Sequence, residues 1–339
     1  MNLRVVGVAA ATLLSACTVQ QWKPARTPAA DDHVSHMQSA DLRLNSVAPR
    51  TGPSAQGVQG IPASAATAAA RLAASPRHGE WVKIAWTPGS ADSLMAWVVY
   101  PVRREKAAVV VVIHEIFGLS SWVRSVADQV AADGFIAIAP DFVSRARGGP
   151  STEELSGNIA SGLIRGVDAA EKNRAIVAAA NYAMTLPSAE QRYAVIGYCW
   201  GGTAVFGHAV HGGVQGFSGG VAFYGAPYTN PGTAATATTP AIPATVAFDS
   251  LAKINVPVML LNGSRDARIG AMMPAIDSAM KAMRKEYSGT NYEGAIHGFL
   301  RAQDDPATGN NADAGLANLA AAKDAWPKTI AFLRKHLNK

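Results

Sequence analysis

The chain has 339 residues, of which 49% are hydrophobic and 16% charged, a globular balance that excludes a disordered or low-complexity protein. That length suits one large domain or two small ones, and α/β enzymes commonly spend roughly 200–250 residues on one. A formal charge of +6 and a pI near 9.4 would suit an anionic partner. The basic residues are scattered, with no run longer than the pair Arg103-Arg104, so nucleic-acid binding is not expected.

The N-terminus runs Met1-Asn2-Leu3-Arg4, then an apolar stretch from Val5 to Leu14, then Ser15-Ala16-Cys17. One positive charge, a short apolar core and small residues before a cleavage point mark residues 1–16 as a secretory signal. The apolar run is too short to span a bilayer as a helix. Its ending, Leu14-Ser15-Ala16-Cys17, resembles the bacterial lipobox, whose cysteine is lipidated and becomes the mature N-terminus. That resemblance implies an exported protein held to the membrane by lipid on Cys17, on the periplasmic face of the bacterial envelope. Thr18 after the cysteine favours outer-membrane delivery, and a lipidated Cys17 leaves Cys199 as a free thiol. Residues 17–78 are then read as the lipidated N-terminus and a flexible tether. They are rich in Ala, Ser, Pro and Gln and hold no sustained period, with room for a short helix near Ala66–Ala74.

From Gly79 the pattern changes, and residues 79–339 are expected to form one α/β domain. Val82–Trp86 and Leu94–Tyr100 read as two strands joined by a turn. Ala107–Ile113 is an apolar, β-branched run of the kind buried on both faces of a parallel sheet. A helix is expected over Trp122–Ala132, a strand over Phe135–Ala139, a helix over Val167–Met184 and a strand over Tyr193–Ile196. A helix over Gly202–Val210, strands over Val221–Tyr224 and Val256–Leu261, and helices over Ala271–Lys285 and Leu316–His336 follow, the last broken or kinked at Pro327. Strands alternating with helices imply right-handed crossovers and a largely parallel, doubly wound sheet, with the chemistry at the carboxyl ends of its strands.

The segment Ile196-Gly197-Tyr198-Cys199-Trp200-Gly201-Gly202 follows a strand and opens a helix, and it matches the nucleophile elbow G-x-S-x-G with Cys in place of Ser. Side chains at 197 and 201 would collide with neighbouring backbone in such a turn. The turn also places Cys199 at a helix N-terminus, where dipole and free N–H groups favour thiolate. In this fold the order is nucleophile, acid, then histidine. Asp266 comes just past the strand Val258-Met259-Leu260-Leu261, and His297 stands in a loop before Gly298. His297 can take and return a proton while Asp266 fixes its tautomer.

Upstream, the strand Val109–Ile113 ends in His114-Glu115-Ile116-Phe117-Gly118. With the cysteine elbow, this makes the chain resemble the dienelactone hydrolases (carboxymethylenebutenolidases) from roughly Gly79 to the C-terminus. The resemblance implies an α/β-hydrolase fold, no cofactor, and a small ester or lactone substrate. It gives Glu115 the family role of helping to generate the thiolate of Cys199 when substrate binds. It makes the backbone amides of Trp200 and Ile116 the oxyanion donors, and it makes Arg145 and Arg301 the binders of a substrate carboxylate, a task for which planar guanidinium forks are suited. The chain departs from the family between Pro227 and Lys253, where Thr, Ala and Pro crowd an insertion that reads as a flexible lid or surface loop.

Other signals carry less. His114-Glu115 lacks the spacing of a zinc-binding helix, and His208 and His211 have no further ligands nearby, so no metal site is expected. The sequence favours a hydrolase of an anionic ester or lactone acting through Cys199, His297 and Asp266. It leaves open a neutral ester or thioester substrate, and a lipoprotein that binds a ligand without turnover. It does not disclose the oligomeric state.

Overall fold

The computed structural model describes residues 57–337, apart from 88, 152–154, 156, 231, 234, 237, 243 and 304–311. Cys17 and the signal sequence lie outside the described residues.

The seven apolar residues of β3 (Ala107–Ile113) are all buried, and the sheet is built around them. On one side lies β4 (Ile136–Pro140), followed by the antiparallel pair β2 (Ser93–Val99) and β1 (Gly79–Ala85). On the other side come β5 (Ala189–Tyr198), β6 (Phe217–Phe223), β9 (Val258–Gly263) and β10 (Tyr287–Tyr292), all parallel. A small hairpin, β7 (Thr229–Asn230) and β8 (Thr245–Val246), stands apart. The strand order β1-β2-β4-β3-β5-β6-β9-β10 reverses direction at β3, so the loops after β3 and β5 open a crevice at the topological switch point.

Two short helices, α1 (Ala68–Ala73) and α3 (Ser144–Arg147), lie among longer ones: α2 (Ser121–Ala132), α4 (Gly157–Ile164), α5 (Ala169–Met184) and α6 (Trp200–His211). Towards the C-terminus follow α7 (Phe248–Leu251), α8 (Ala267–Ala282) and α9 (Ala312–Leu337). Asp168 caps α5 by accepting the Glu171 amide at 2.8 Å, and Asp266 caps α8 by accepting that of Ile269 at 3.2 Å. No helix among the described residues is long and apolar enough to cross a membrane. The fold is an α/β-hydrolase fold, as expected from the alternation of elements.

Two expectations change, and one strand is new. The closing helix α9 runs through Pro327, so no break occurs there. The stretch Tyr287–Tyr292, for which the sequence offered no element, is the edge strand β10; an edge needs backbone pairing on one side only, and apolar residues are not required. The tether does not run to His78. Ile61, Ala63, Ala68 and Thr67 are buried, α1 packs on α2, and the Arg71 guanidinium donates to the Val58 carbonyl at 2.7 Å. Trp122 Nε1 donates to the Ala63 carbonyl at 2.9 Å, the Gln303 amide to that of Pro62 at 2.7 Å, and the Ala65 amide to that of Arg301 at 2.9 Å. The folded unit therefore includes residues from 57 onward, because the Ala63 and Pro62 carbonyls satisfy buried donors of Trp122 and Gln303, and an orphaned buried donor costs about 1–3 kcal/mol.

A fragment beginning at Gly79 is accordingly expected to melt roughly 5 °C or more below one beginning at Gly57, since each kcal/mol moves the midpoint of a domain this size by about 2–4 °C. Equal midpoints in differential scanning calorimetry would show that the 57–78 segment contributes nothing to stability.

Candidate active site

Cys199 sits between β5 and α6 with φ 56° and ψ −114°, a backbone conformation that costs a non-glycine residue about 1–3 kcal/mol. Two close approaches hold it there. A Cβ on Gly197 would lie 2.1 Å from the Gly201 carbonyl oxygen, and one on Gly201 would lie 2.5 Å from that of Ile113. The expected collisions are present, and the second ties the elbow to the end of β3. The Cys199 amide donates to the Phe223 carbonyl at 2.9 Å, fixing the turn to β6 as well. The residue is 2% exposed.

The loops after β9 and β10 bring in the partners. His297 Nδ1 meets Asp266 Oδ2 at 2.5 Å, while Oδ1 of the same carboxylate caps α8. One side chain thus anchors a helix and orients an imidazole. Nε2 of His297 is buried without a nitrogen or oxygen partner, and the Cys199 thiol acts on the ring by hydrogen bonding and charge. Burial opposes charge on His297, but the hydrogen bonds to Asp266 and Cys199 outweigh it and raise the pKa well above 6.5. Burial likewise opposes ionisation of Asp266, yet His297 and Arg268 bring its pKa below the ordinary carboxylate value. The imidazolium's stabilisation is complete below pH 6.5 and fades as pH rises through the raised value. That of the carboxylate is present above about pH 3.9 and fades as pH falls through the depressed one. The pair is therefore intact across neutral pH.

Glu115, on the loop after β3, pairs with Arg301 from the loop after His297. Both side chains are almost fully buried, at 5% and 4% exposure, and the guanidinium lies over the Phe117 ring at 4.7 Å. Breaking such a pair by removing one partner costs about 3–5 kcal/mol. The amides of Ile116 and Trp200 have no protein acceptor among the described residues. Trp200 is the first residue of α6, where helical geometry supplies none.

Three features go beyond the sequence reading. Arg145 is engaged by protein carboxylates: its Nε and Nη2 donate to Asp92, its Nη1 to Glu171, and its guanidinium stacks on Trp86 at 4.0 Å. Held by two carboxylates, Arg145 braces the turn before β2 against α5. Tyr224 joins the site unforeseen. It follows β6 with φ 38°, its ring lies 5.0 Å from that of His297, and its buried hydroxyl has no partner. Burial, then the charges of Glu115 and Cys199, push its pKa well above 10. Its place at a strand's carboxyl end was the available signal. His114 is the third. Its Nε2 accepts the Phe142 amide at 3.1 Å, so Nδ1 carries the proton donated to the Glu115 carbonyl at 2.6 Å. Burial lowers its pKa to about 4, keeping it neutral, and its ring stacks on Trp200 at 5.9 Å.

His208, set aside as a metal ligand, bonds Tyr193 at 2.9 Å and Asn173 at 2.7 Å as a structural residue. No group of His, Cys, Asp and Glu among the described residues is arranged to hold a metal ion.

A thiol on a strand-to-helix elbow, with an Asp-held histidine three strands further along the sheet, defines an α/β-hydrolase carrying sulfur at the elbow position. The chain belongs to the dienelactone hydrolase family, whose pattern matches residues 94–337, and it is a carboxylic ester hydrolase of that family. It is 30% identical over 260 residues to a Synechocystis sp. protein named after carboxymethylenebutenolidase, covering 74% of this chain and 95% of that one. Over a shorter stretch of 108 residues it is 32% identical to carboxymethylenebutenolidase 1 of Cupriavidus pinatubonensis, covering 30% of this chain and 45% of the relative. Among solved structures, a dienelactone hydrolase-like promiscuous phosphotriesterase from metagenomic libraries superposes with a TM-score of 0.56 at 22% identity, covering 76% of this chain and 98% of that one. The dienelactone hydrolase of Anabaena variabilis gives 0.53 at 17%, covering 77% and 99%; at these identities the likeness is one of fold.

Replacing Asp266 by Asn removes the anion that charges His297. The His297 ring proton signal in NMR is expected to titrate at lower pH in this variant than in the wild type. An unchanged midpoint would mean that Asp266 does not set the charge of His297.

Proposed function

We propose that the protein hydrolyses an anionic ester or lactone through Cys199, His297 and Asp266, by way of a thioester. The observation that carries this reading is the strained elbow cysteine sharing its histidine with a hydrogen-bonded carboxylate, beside a buried Glu115–Arg301 pair. In the resting site Glu115 is held by Arg301. A substrate carboxylate that draws Arg301 to itself leaves Glu115 as a base for the thiol proton. The thiolate then attacks the carbonyl carbon, and the Trp200 and Ile116 amides receive the oxyanion. The C–O bond breaks, and the departing oxygen takes a proton from the His297 imidazolium. Neutral His297 next removes a proton from water as the water attacks the thioester. The acid leaves, and the proton on Glu115 returns to sulfur.

We also propose that the chain is exported and carries lipid on Cys17, on the strength of Leu14-Ser15-Ala16-Cys17 and the apolar run before it. Metabolic labelling with palmitate in a bacterial host is expected to mark the full chain and to be lost in Cys17→Ser; labelling that survives the substitution refutes the anchor.

With p-nitrophenyl and dienelactone esters, Cys199→Ala is expected to abolish turnover. Glu115→Gln is expected to lower kcat about 100-fold or more, the contribution of a positioned base. Turnover that persists in Cys199→Ala rejects the nucleophile.

A further inference from the structure

An arc of rings runs from Arg301 to His297. The Arg301 guanidinium lies 5.8 Å from the Trp122 ring, and Trp122 meets Tyr198 edge-on at 5.0 Å. The Tyr198 and Tyr224 rings are 6.3 Å apart, and that of Tyr224 lies 5.0 Å from the His297 ring. The arc thus joins the partner of Glu115 to the partner of Cys199. Strand register builds its centre. Tyr198 ends β5 opposite Phe223 of β6, so Cys199 and Tyr224 stand at neighbouring strand ends. The Cys199 amide donates to the Phe223 carbonyl at 2.9 Å, and the Tyr224 amide donates to that of Leu261 in β9 at 2.7 Å, which fixes Tyr224 from both sides.

Two hydroxyls lie on this arc. Those of Tyr198 and Tyr224 are fully buried and meet no donor or acceptor among the described residues. A buried polar group left unpaired is rare in a folded protein, and Tyr224 adds a left-handed backbone, with φ 38°. Neither feature stabilises the fold, and departures of this kind gather at functional sites. Both hydroxyls keep their protons: burial first, and then the charge of Glu115, push each pKa well above 10. They are neutral donors within the field of a carboxylate that the resting enzyme pairs with Arg301. Cys199 acts on Tyr224 as well, so that hydroxyl stands between the acid and the thiol in its electrostatics.

We propose that the hydroxyls of Tyr198 and Tyr224 receive the Glu115 carboxylate when Arg301 is drawn to a substrate, and hold it where it exchanges a proton with Cys199. The relocation rests on the hydrolase reading, in which a substrate carboxylate takes Arg301. Withdrawing the guanidinium removes from a nearly dry carboxylate the cation that balances it, a change that is costly unless donors replace it. Two neutral donors replace it without cancelling the charge, so Glu115 keeps an affinity for protons that an arginine partner suppresses. The thiol proton then passes to Glu115, the negative charge passes to sulfur, and both tyrosines keep their own protons. Tyr198 and Tyr224 act through Glu115 and are positioning residues.

The test uses the full chain, the p-nitrophenyl half-ester of glutaric acid, and a double-mutant cycle with Glu115. Tyr198→Phe and Tyr224→Phe together are expected to lower kcat/KM about tenfold or more, the effect of losing hydrogen bonds to a charged group. With Glu115→Gln already present, the same pair is expected to lower it less than about twofold, because the charge they serve is gone. A loss below about twofold with Glu115 intact, or an equal loss in both backgrounds, overturns the proposal. The resting enzyme gives up only unpaired hydroxyls, so its melting temperature is expected to hold or rise. A fall of several degrees would assign the hydroxyls a structural partner and overturn the proposal as well. A further measurement does not require turnover. Glutarate binding to Cys199→Ala, followed by calorimetry, is expected to weaken about tenfold or more when both tyrosines are replaced, since the ligand displaces Glu115 from Arg301. Equal binding overturns the proposal. If the wild type hydrolyses no ester while glutarate binding still depends on the tyrosines, the hydrolase reading fails and the relocation stands; if neither turnover nor binding occurs, both fail.

Discussion

The backbone at Cys199 is the constraint on which the rest of the site depends. A left-handed conformation at a non-glycine residue persists only where the surroundings over-determine it, and here they do so from three strands. The carbonyls at the end of β3 press against Gly201, the Phe223 carbonyl of β6 takes the Cys199 amide, and Gly197 closes on Gly201 from β5. The same contact that strains the cysteine joins the end of β3, and hence Glu115, to the first turn of α6. Any side chain at 197 or 201 would push apart Cys199, the candidate oxyanion amides and the carboxylate beside them.

Around that turn, charges are placed in pairs, and the pairing decides which groups are available. Asp266 and His297 share a short hydrogen bond that keeps the imidazole charged and oriented. Glu115 and Arg301 neutralise each other in a nearly dry environment, where either one alone would be costly. Arg145 is spent on Asp92 and Glu171, which braces the loop after β4 against α5. His114 takes the complementary course and stays uncharged, so that it can donate to one backbone group and accept from another.

Much of the site was legible because its signals are local. The glycines flanking Cys199 report a close backbone approach that few other turns require, and the apolar run of β3 reports a strand covered on both faces. Asp266 and His297 follow from chain order once the elbow is recognised, since each lies just beyond a strand. Other features were not legible, because they depend on partners distant in sequence. Arg145 looks like any exposed arginine until Asp92 and Glu171 are seen on either side of it. Tyr287–Tyr292 has the composition of a turn and becomes a strand only because β9 offers it a free edge. The 57–78 segment has the composition of a linker, yet its carbonyls meet Trp122 and Gln303.

The sequence by itself determined the class of fold, the sulfur at the elbow, and the chain order of the acid and the histidine gathered near it. These are encoded in the period of apolar residues and in steric rules that hold within a few positions. The tertiary structure alone decided which charges meet, for Coulomb and hydrogen-bond energies depend on separations and burial that chain order does not contain. Arg301 therefore faces Glu115, and Arg145 serves as a brace.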